Sequence, residues 1–204
     1  MTFNIIGFIL PEITIAIGIC SVILVNSLVK KITPGFIHGL ILLFLSLGLF
    51  FSFVSLEIPD NTIFNGHYAI DSFGTNLKII ALIAAILVHL SSVKSKQNIK
   101  NEIFLIQLFA TLGVLILCSA KNLLTVYLGL ETLTLSMYGI VASNRNSIDA
   151  TESAMKFFVL GAIASAIFLY GISILYGVTG TLSLDTIKGS LMLDTLEMGV
   201  AVAF

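Results

Sequence analysis

The stretch Asn122–Ala142, NLLTVYLGLETLTLSMYGIVA, is apolar and about as long as a bilayer-crossing helix must be, yet it carries a carboxylate, Glu131, in its middle. A charge at that depth costs about 2.5–3.5 kcal/mol on insertion scales. No cation lies nearby in sequence. Glu131 must therefore face protein or water, find a partner on another helix, or hold a proton. Helical spacing shows how it is housed. Tyr127, Glu131, Thr134 and Tyr138 recur at intervals that place them on one stripe. Thr125, Gly129, Thr132, Ser136 and Gly139 form a neighbouring stripe of small residues, the kind that lets membrane helices approach closely. Two roles fit: a proton or ion site, the default for an intramembrane ionisable group, or a structural interhelical hydrogen bond.

Lys156 is the second candidate, two turns inside the next apolar run. It either snorkels to the near interface or turns inward toward Glu131. By helical rise, Glu131 lies roughly 16 Å from the Ala142 end of its helix and Lys156 roughly 9 Å from its own helix start on the same side. A direct bridge is not expected at that offset, whereas coupling through one or two waters is. Gly161, Ala164 and Ser165 supply small packing positions on the same helix. The other ionisable groups in apolar runs have milder explanations. Glu12 either sits at the interface, if the first span begins near Ile13, or is buried against another helix. Lys78, one turn inside its helix, is expected to snorkel, and His38 and His89 are expected to be interfacial. Cys20 and Cys118 lie in separate apolar runs and read as small hydrophobes, and the histidines make no metal-ligand motif.

Composition sets the frame for these residues. The chain is 57% hydrophobic and only 10% charged, with mean hydropathy +1.09, against about 25% charged residues in a soluble domain. It reads as an all-α integral membrane protein, since its apolar segments have helical length and lack the strict alternation of a barrel strand. The net charge is −1, and no basic patch points to nucleic acid. Six complete spans are predicted, at residues 4–29, 35–56, 73–92, 103–120, 122–142 and 150–176, forming one membrane domain over residues 1–204. Pro34 suits the first turn of the second helix. Within residues 57–72, TIFNGHYAID carries Asn65-Gly66 between partly alternating residues, which predicts a small surface hairpin with a type I′ turn. Val178–Thr195 is polar, and a seventh helix is expected to begin near Leu196 and to be cut at Phe204, so the chain is expected to be a fragment or truncated product. The N-terminal residues lack a basic region and a small-residue cleavage site, so no cleaved leader is expected. Lys30, Lys31, Lys94, Lys96, Lys100 and Arg145 fall on loops that alternate to one side. That side is expected to be cytoplasmic, with the N-terminus outside.

By the sixth helix a resemblance is visible. YLGLETLTLSMYGIVA, then SIDATESAMKFFVLGAIASAIFLYGISILYGVTGTLSL, resembles the N subunit of the bacterial proton-translocating NADH-quinone oxidoreductase, respiratory complex I. The Leu10-Pro11-Glu12 start and FNGHYAIDSF are also similar to that subunit. Tyr127–Gly180 is the most specific part and favours the N subunit over its sister antiporter-like subunits. The resemblance implies the N-terminal part of a fourteen-helix antiporter-like fold in the inner (plasma) membrane, packed against other membrane-arm subunits. It implies that Glu131 matches the family's helix-five glutamate and Lys156 a helix-six lysine, both moving protons. NADH, FMN, iron–sulfur clusters and quinone would belong to partner subunits. The residues agree with that division: there is no dinucleotide fingerprint, no P-loop and no cysteine set for a cluster. Two other classes stay open, a subunit of a multisubunit cation/proton antiporter and a non-transporting truncated remnant with a structural role.

Overall fold

The computed structural model describes residues 9–28, 34–57, 61–64, 66–94, 101–143 and 147–191. It is mostly helical: α1 (Leu10–Leu28), α2 (Pro34–Ser55), α3 (Ser72–Lys94), α4 (Asn101–Cys118), α5 (Leu123–Val141), α6 (Ile148–Thr179) and α7 (Leu184–Leu191), with strands β1 (Asn61–Ile63) and β2 (Tyr68–Ile70) between α2 and α3. Five of these helices, α1, α2, α3, α5 and α6, are long and apolar enough to cross a membrane; the apolar run of α4, Glu102–Cys118, is shorter. The expected start of a seventh span, near Leu196, lies outside the described residues. Val178–Thr195 reads as polar chain, with no helix predicted there; the short amphipathic α7 within it is an addition.

Local chemistry sets the helix ends. Asp71 accepts a hydrogen bond from the Gly74 amide (2.7 Å) at the start of α3. Asn122 accepts from the Leu124 amide (2.9 Å) at the start of α5, and Ser147 from the Ala150 amide (3.3 Å) at the start of α6. Gly180 closes α6 in the left-handed region (φ 66°), its amide donating to the Tyr176 carbonyl at 2.8 Å. Hydroxyls inside the helices are absorbed by their own backbone: Ser52, Thr111, Thr132 and Ser136 each donate to the carbonyl four residues earlier.

The core lies among α1–α4. Ile15, Ile37, Ile41, Leu45, Leu82, Leu108 and Leu115 are fully buried there, with Ile19, Val22 and Phe104 nearly so. α5 packs tightly on α4 at a glycine crossing, where a Cβ on Gly113 would lie 2.9 Å from the Gly129 carbonyl oxygen. This is the close approach that the small-residue stripe predicts. α6 touches mainly α5, and its side chains are largely exposed.

The predicted hairpin is present, antiparallel with Asn61↔Ile70, Thr62↔Ala69 and Ile63↔Tyr68 in register. Gly66 (φ 84°) and Phe64 (φ 54°) take left-handed conformations at its turn, and the His67 amide donates to the Phe64 carbonyl at 3.2 Å; Asn65 lies outside the described residues. It is not a surface ornament. Tyr68, Ala69 and Ile70 are all buried, because the Ala69 amide donates to the Ser119 carbonyl (2.9 Å) and the Lys121 amide to the His67 carbonyl (3.2 Å). On the far side of that turn, Leu123 donates to the Leu182 carbonyl and Leu184 to the Lys121 carbonyl, each at 3.0 Å. The α4–α5 turn thus ties the hairpin and the chain after α6 into one end of the bundle.

Candidate functional site

The polar stripe of α5 faces α6. The Ser165 hydroxyl donates to Glu131 Oε1, a short contact that joins the two helices at the carboxylate. Tyr127 stacks on Phe168 (centroids 6.3 Å apart, 21° between planes), and Tyr138 sits edge-on to Phe157 and Phe158 at 5.0 and 5.6 Å. The Tyr138 hydroxyl occupies the space a side chain on Gly161 would need, since a Cβ there would collide with it. Thr134, the fourth member of the stripe, donates instead to the Glu131 carbonyl of its own helix at 3.2 Å. An open cavity of about 340 Å³ is lined by Tyr127, Glu131, Tyr138, Phe158, Ser165 and Ala166. It is roomy and polar enough at Glu131 to hold water. A carboxylate on this wall can exchange a proton with water in the cavity while Ser165 holds its orientation. Among the described residues, no group of three or more His, Cys, Asp or Glu side chains suits a metal ion.

Lys156 does not turn toward Glu131. It pairs with Glu152, one helical turn earlier, and the two side chains are 70% and 59% exposed. Nine residues of helix separate Lys156 from Ser165, roughly 13 Å of rise, so the ammonium lies well away from the carboxylate in depth. The structure therefore brings Ser165, not Lys156, to Glu131. Sequence reasoning took Ser165 for a packing residue. The available signal was a hydroxyl in an otherwise apolar segment at nearly one helical face with Gly161.

One further expectation is corrected and one open alternative is decided. Lys78 does not snorkel, and Glu12 takes the second of its two readings, buried against another helix: they form an ion pair, Nζ to Oε1 2.7 Å, with side chains 4% and 7% exposed. Lys78 also donates to the Tyr68 hydroxyl at 2.9 Å. The cause is tertiary. α1 and α3 stand across the α1–α4 bundle from each other, each packed on α2 and α4, so Lys78 reaches an anion in the bundle interior. His89 is fully buried by the surrounding side chains, and His38 is partly buried. Their rings lie 5.4 Å apart, and both meet the Phe104 ring edge-on, because the start of α2, the end of α3 and the start of α4 converge there.

Residues 120–204 match the family model described as NADH:quinone oxidoreductase/Mrp antiporter, TM. The NADH-quinone oxidoreductase subunit N of Thioalkalivibrio sulfidiphilus is 35% identical, the match covering 100% of this chain and 44% of that protein. Its counterpart in Nitrosomonas europaea is 48% identical over 59% of this chain and 26% of its own length. Among solved structures, a chain of respiratory complex I from Thermus thermophilus with bound aureothin superimposes with a TM-score of 0.72 at 30% identity, covering 85% of this chain and 38% of that one. A chain of the archaeal membrane-bound sulfane sulfur reductase shares the fold, with a TM-score of 0.77 at 19% identity over 99% of this chain. The chain spans under half the length of the curated relatives it matches. The resemblance carried by Tyr127–Gly180 therefore holds: this multi-pass helical membrane chain is similar to NADH-quinone oxidoreductase subunit N, and its residues 120–204 match an antiporter family model.

Proposed function

We propose that this chain is a membrane-arm subunit of NADH-quinone oxidoreductase that takes part in proton translocation coupled to electron transfer from NADH to quinone. The observation that carries the reading is Glu131: a carboxylate in the middle of an apolar helix, held by Ser165 and open to a cavity, in a chain similar along its length to N subunits. The proton affinity of a carboxyl in a membrane helix responds to neighbouring charge, so a change of charge nearby moves a proton on or off the group. Lys156 is assigned a supporting role through its charge. The redox groups NADH, FMN, iron–sulfur clusters and quinone belong to partner subunits in this reading. The membrane is the bacterial inner membrane. The fold is the first six spans and the start of a seventh of a fourteen-helix subunit, with α4 counted as a span although its apolar run is short. The N-terminus is outside. Labelling single-cysteine variants at Asn65 and Asn98 tests the orientation; labelling of Asn65 only from the cytoplasmic side reverses it.

The central test is proton uptake into inverted membrane vesicles on NADH addition, with complex content checked on native gels. Glu131→Gln keeps size and hydrogen bonding but cannot titrate; it is expected to assemble and to lose most uptake and coupled quinone reduction. Glu131→Asp still titrates and is expected to retain substantial activity. A Gln variant that assembles and pumps like wild type makes Glu131 a structural hydrogen-bond partner. A second reading, a subunit of a cation/proton antiporter, draws on the breadth of the matching family model. Co-purification with flavin and iron–sulfur subunits decides between the two.

A further inference from the structure

The packing of Tyr138 between α5 and α6 does not need its hydroxyl. The ring sits edge-on to Phe157 and Phe158, with centroids 5.0 and 5.6 Å away, and a phenylalanine would make both contacts. The hydroxyl has no hydrogen-bond partner among the described residues, although an unpartnered polar group in an apolar setting is costly. Yet the chain makes room for it. The hydroxyl rests on Gly161 of α6, where any Cβ would collide with it.

α6 shows what the hydroxyl faces. Glu131 Oε1 accepts from Ser165, four residues beyond Gly161 on the same helix. Residues four apart share one helix face and are offset by roughly 6 Å along the axis. The hydroxyl and the carboxylate therefore stand about one turn apart. The lean of the side chains agrees. Helical side chains tilt toward the N-terminus, so Tyr138, two turns after Glu131, reaches back toward the carboxylate. Tyr127, one turn before Glu131, leans away from it and stacks on Phe168. Two hydrogen bonds of about 2.8 Å through one water span the gap between Tyr138 and Glu131. Both residues and Ser165 line the same cavity of about 340 Å³, which offers such a water three polar partners.

Few other ionisable groups belong to this layer. α5 carries Tyr127, Glu131 and Tyr138. α6 carries Asp149, Glu152 and Lys156 toward its start and Tyr170 and Tyr176 toward its end; α4 carries Glu102 at its start and Cys118 at its end. Of these, Tyr127, Glu131 and Tyr138 line the cavity, and Lys156 is paired with Glu152 outside it.

We propose that Tyr138 is the proton-relay residue of the Glu131 site: one water held between its hydroxyl and the carboxylate carries protons to and from Glu131, along the side of the layer where α5 ends and α6 begins. In each uptake the water gives a proton to a Glu131 carboxylate oxygen and takes one from the Tyr138 hydroxyl, which takes one from the next water along the groove. Water and tyrosine end as they began, Glu131 becomes the neutral acid, and the site's charge rises by one; release reverses the steps. This role rests on the proton-translocating reading above.

The test uses the complete complex in native inverted vesicles, measuring proton uptake on NADH addition across a pH series, against complex content on native gels. Tyr138→Phe keeps the ring and both edge contacts and removes only the hydroxyl. The expected result is normal complex content, a several-fold loss of uptake, and an alkaline limb of the pH profile that moves to lower pH, because proton delivery limits the rate sooner where protons are scarce. Wild-type uptake, or a uniform loss that leaves the profile in place, overturns the proposal. If Tyr138→Phe does not assemble, Gly161→Ala decides: it keeps the hydroxyl but drives it from its seat, and is expected to move the alkaline limb the same way, an unmoved limb overturning the relay. E131Q in the same vesicles separates the two ideas. Wild-type uptake there sinks the function proposed for the chain, whereas impaired E131Q beside fully active Tyr138→Phe sinks only the relay.

Discussion

The two ends of the chain hold a carboxylate of an apolar helix in opposite ways, Glu12 buried and Glu131 half-buried. In the α1–α4 bundle, Glu12 is enclosed by four helices and a hairpin and is matched by a cation at 2.7 Å. In the α5–α6 layer, Glu131 meets a neutral hydroxyl, stands beside an open cavity, and the lysine of its partner helix points away. The first arrangement resists change, since loss of either charge strands the other in low dielectric. The second tolerates it, since water in the cavity can follow a proton on or off. Charge is therefore locked by packing at one end and left adjustable at the other.

The largest expected effect comes from breaking the locked side alone. Lys78→Ala leaves Glu12 buried without a counter-charge and is expected to cost about 3–5 kcal/mol of stability. The measurement is complex content and the thermal midpoint of the solubilised complex. Recovery in E12Q/K78M is the sharper half of the comparison, and a single variant as stable as wild type shows that water reaches the pair. Next is the α5–α6 contact. Gly161→Val forces the Tyr138 hydroxyl out of its place and is expected to cost about 1–3 kcal/mol by overpacking. A joint Gly161→Val and Tyr138→Phe variant, which trims the obstructing hydroxyl, is expected to recover part of that loss.

Ser165→Ala has a smaller structural effect, about 1 kcal/mol for one hydrogen bond, but it frees the Glu131 carboxyl. The expected outcome is normal assembly and a shifted pH profile of proton uptake. An unchanged profile means that Ser165 does not orient the group. The smallest effect on stability is at Lys156, whose exposed pair with Glu152 is worth about 0–1 kcal/mol. Pumping is the informative readout: Lys156→Arg, which keeps a cation, is expected to retain more than Lys156→Ala. Equal uptake for Ala and wild type makes the lysine a surface residue.

The sequence by itself determined the class of environment and the helical plan, because apolar length and charge scarcity are additive along the chain and need no partner to be read. It also determined which face of α5 carries chemistry, since helical periodicity alone aligns Tyr127, Glu131 and Tyr138, and all three do meet α6. The close approach at Gly129 was legible for the same reason. Partners were not. Ser165 and Lys156 share one helix, and only the docking of α6 on α5 put the hydroxyl at Glu131 and left the lysine outside. Glu12 and Lys78 each had a cheap local explanation, and the burial of His89 was not legible either. What decided their surroundings was the convergence of α1, α3 and the hairpin at one end, and of α2, α3 and α4 at the other. Tertiary packing decides such pairings because the energy of a buried charge or imidazole is set by what lies within a few ångströms in space, and that distance is not written in residue spacing along a single helix.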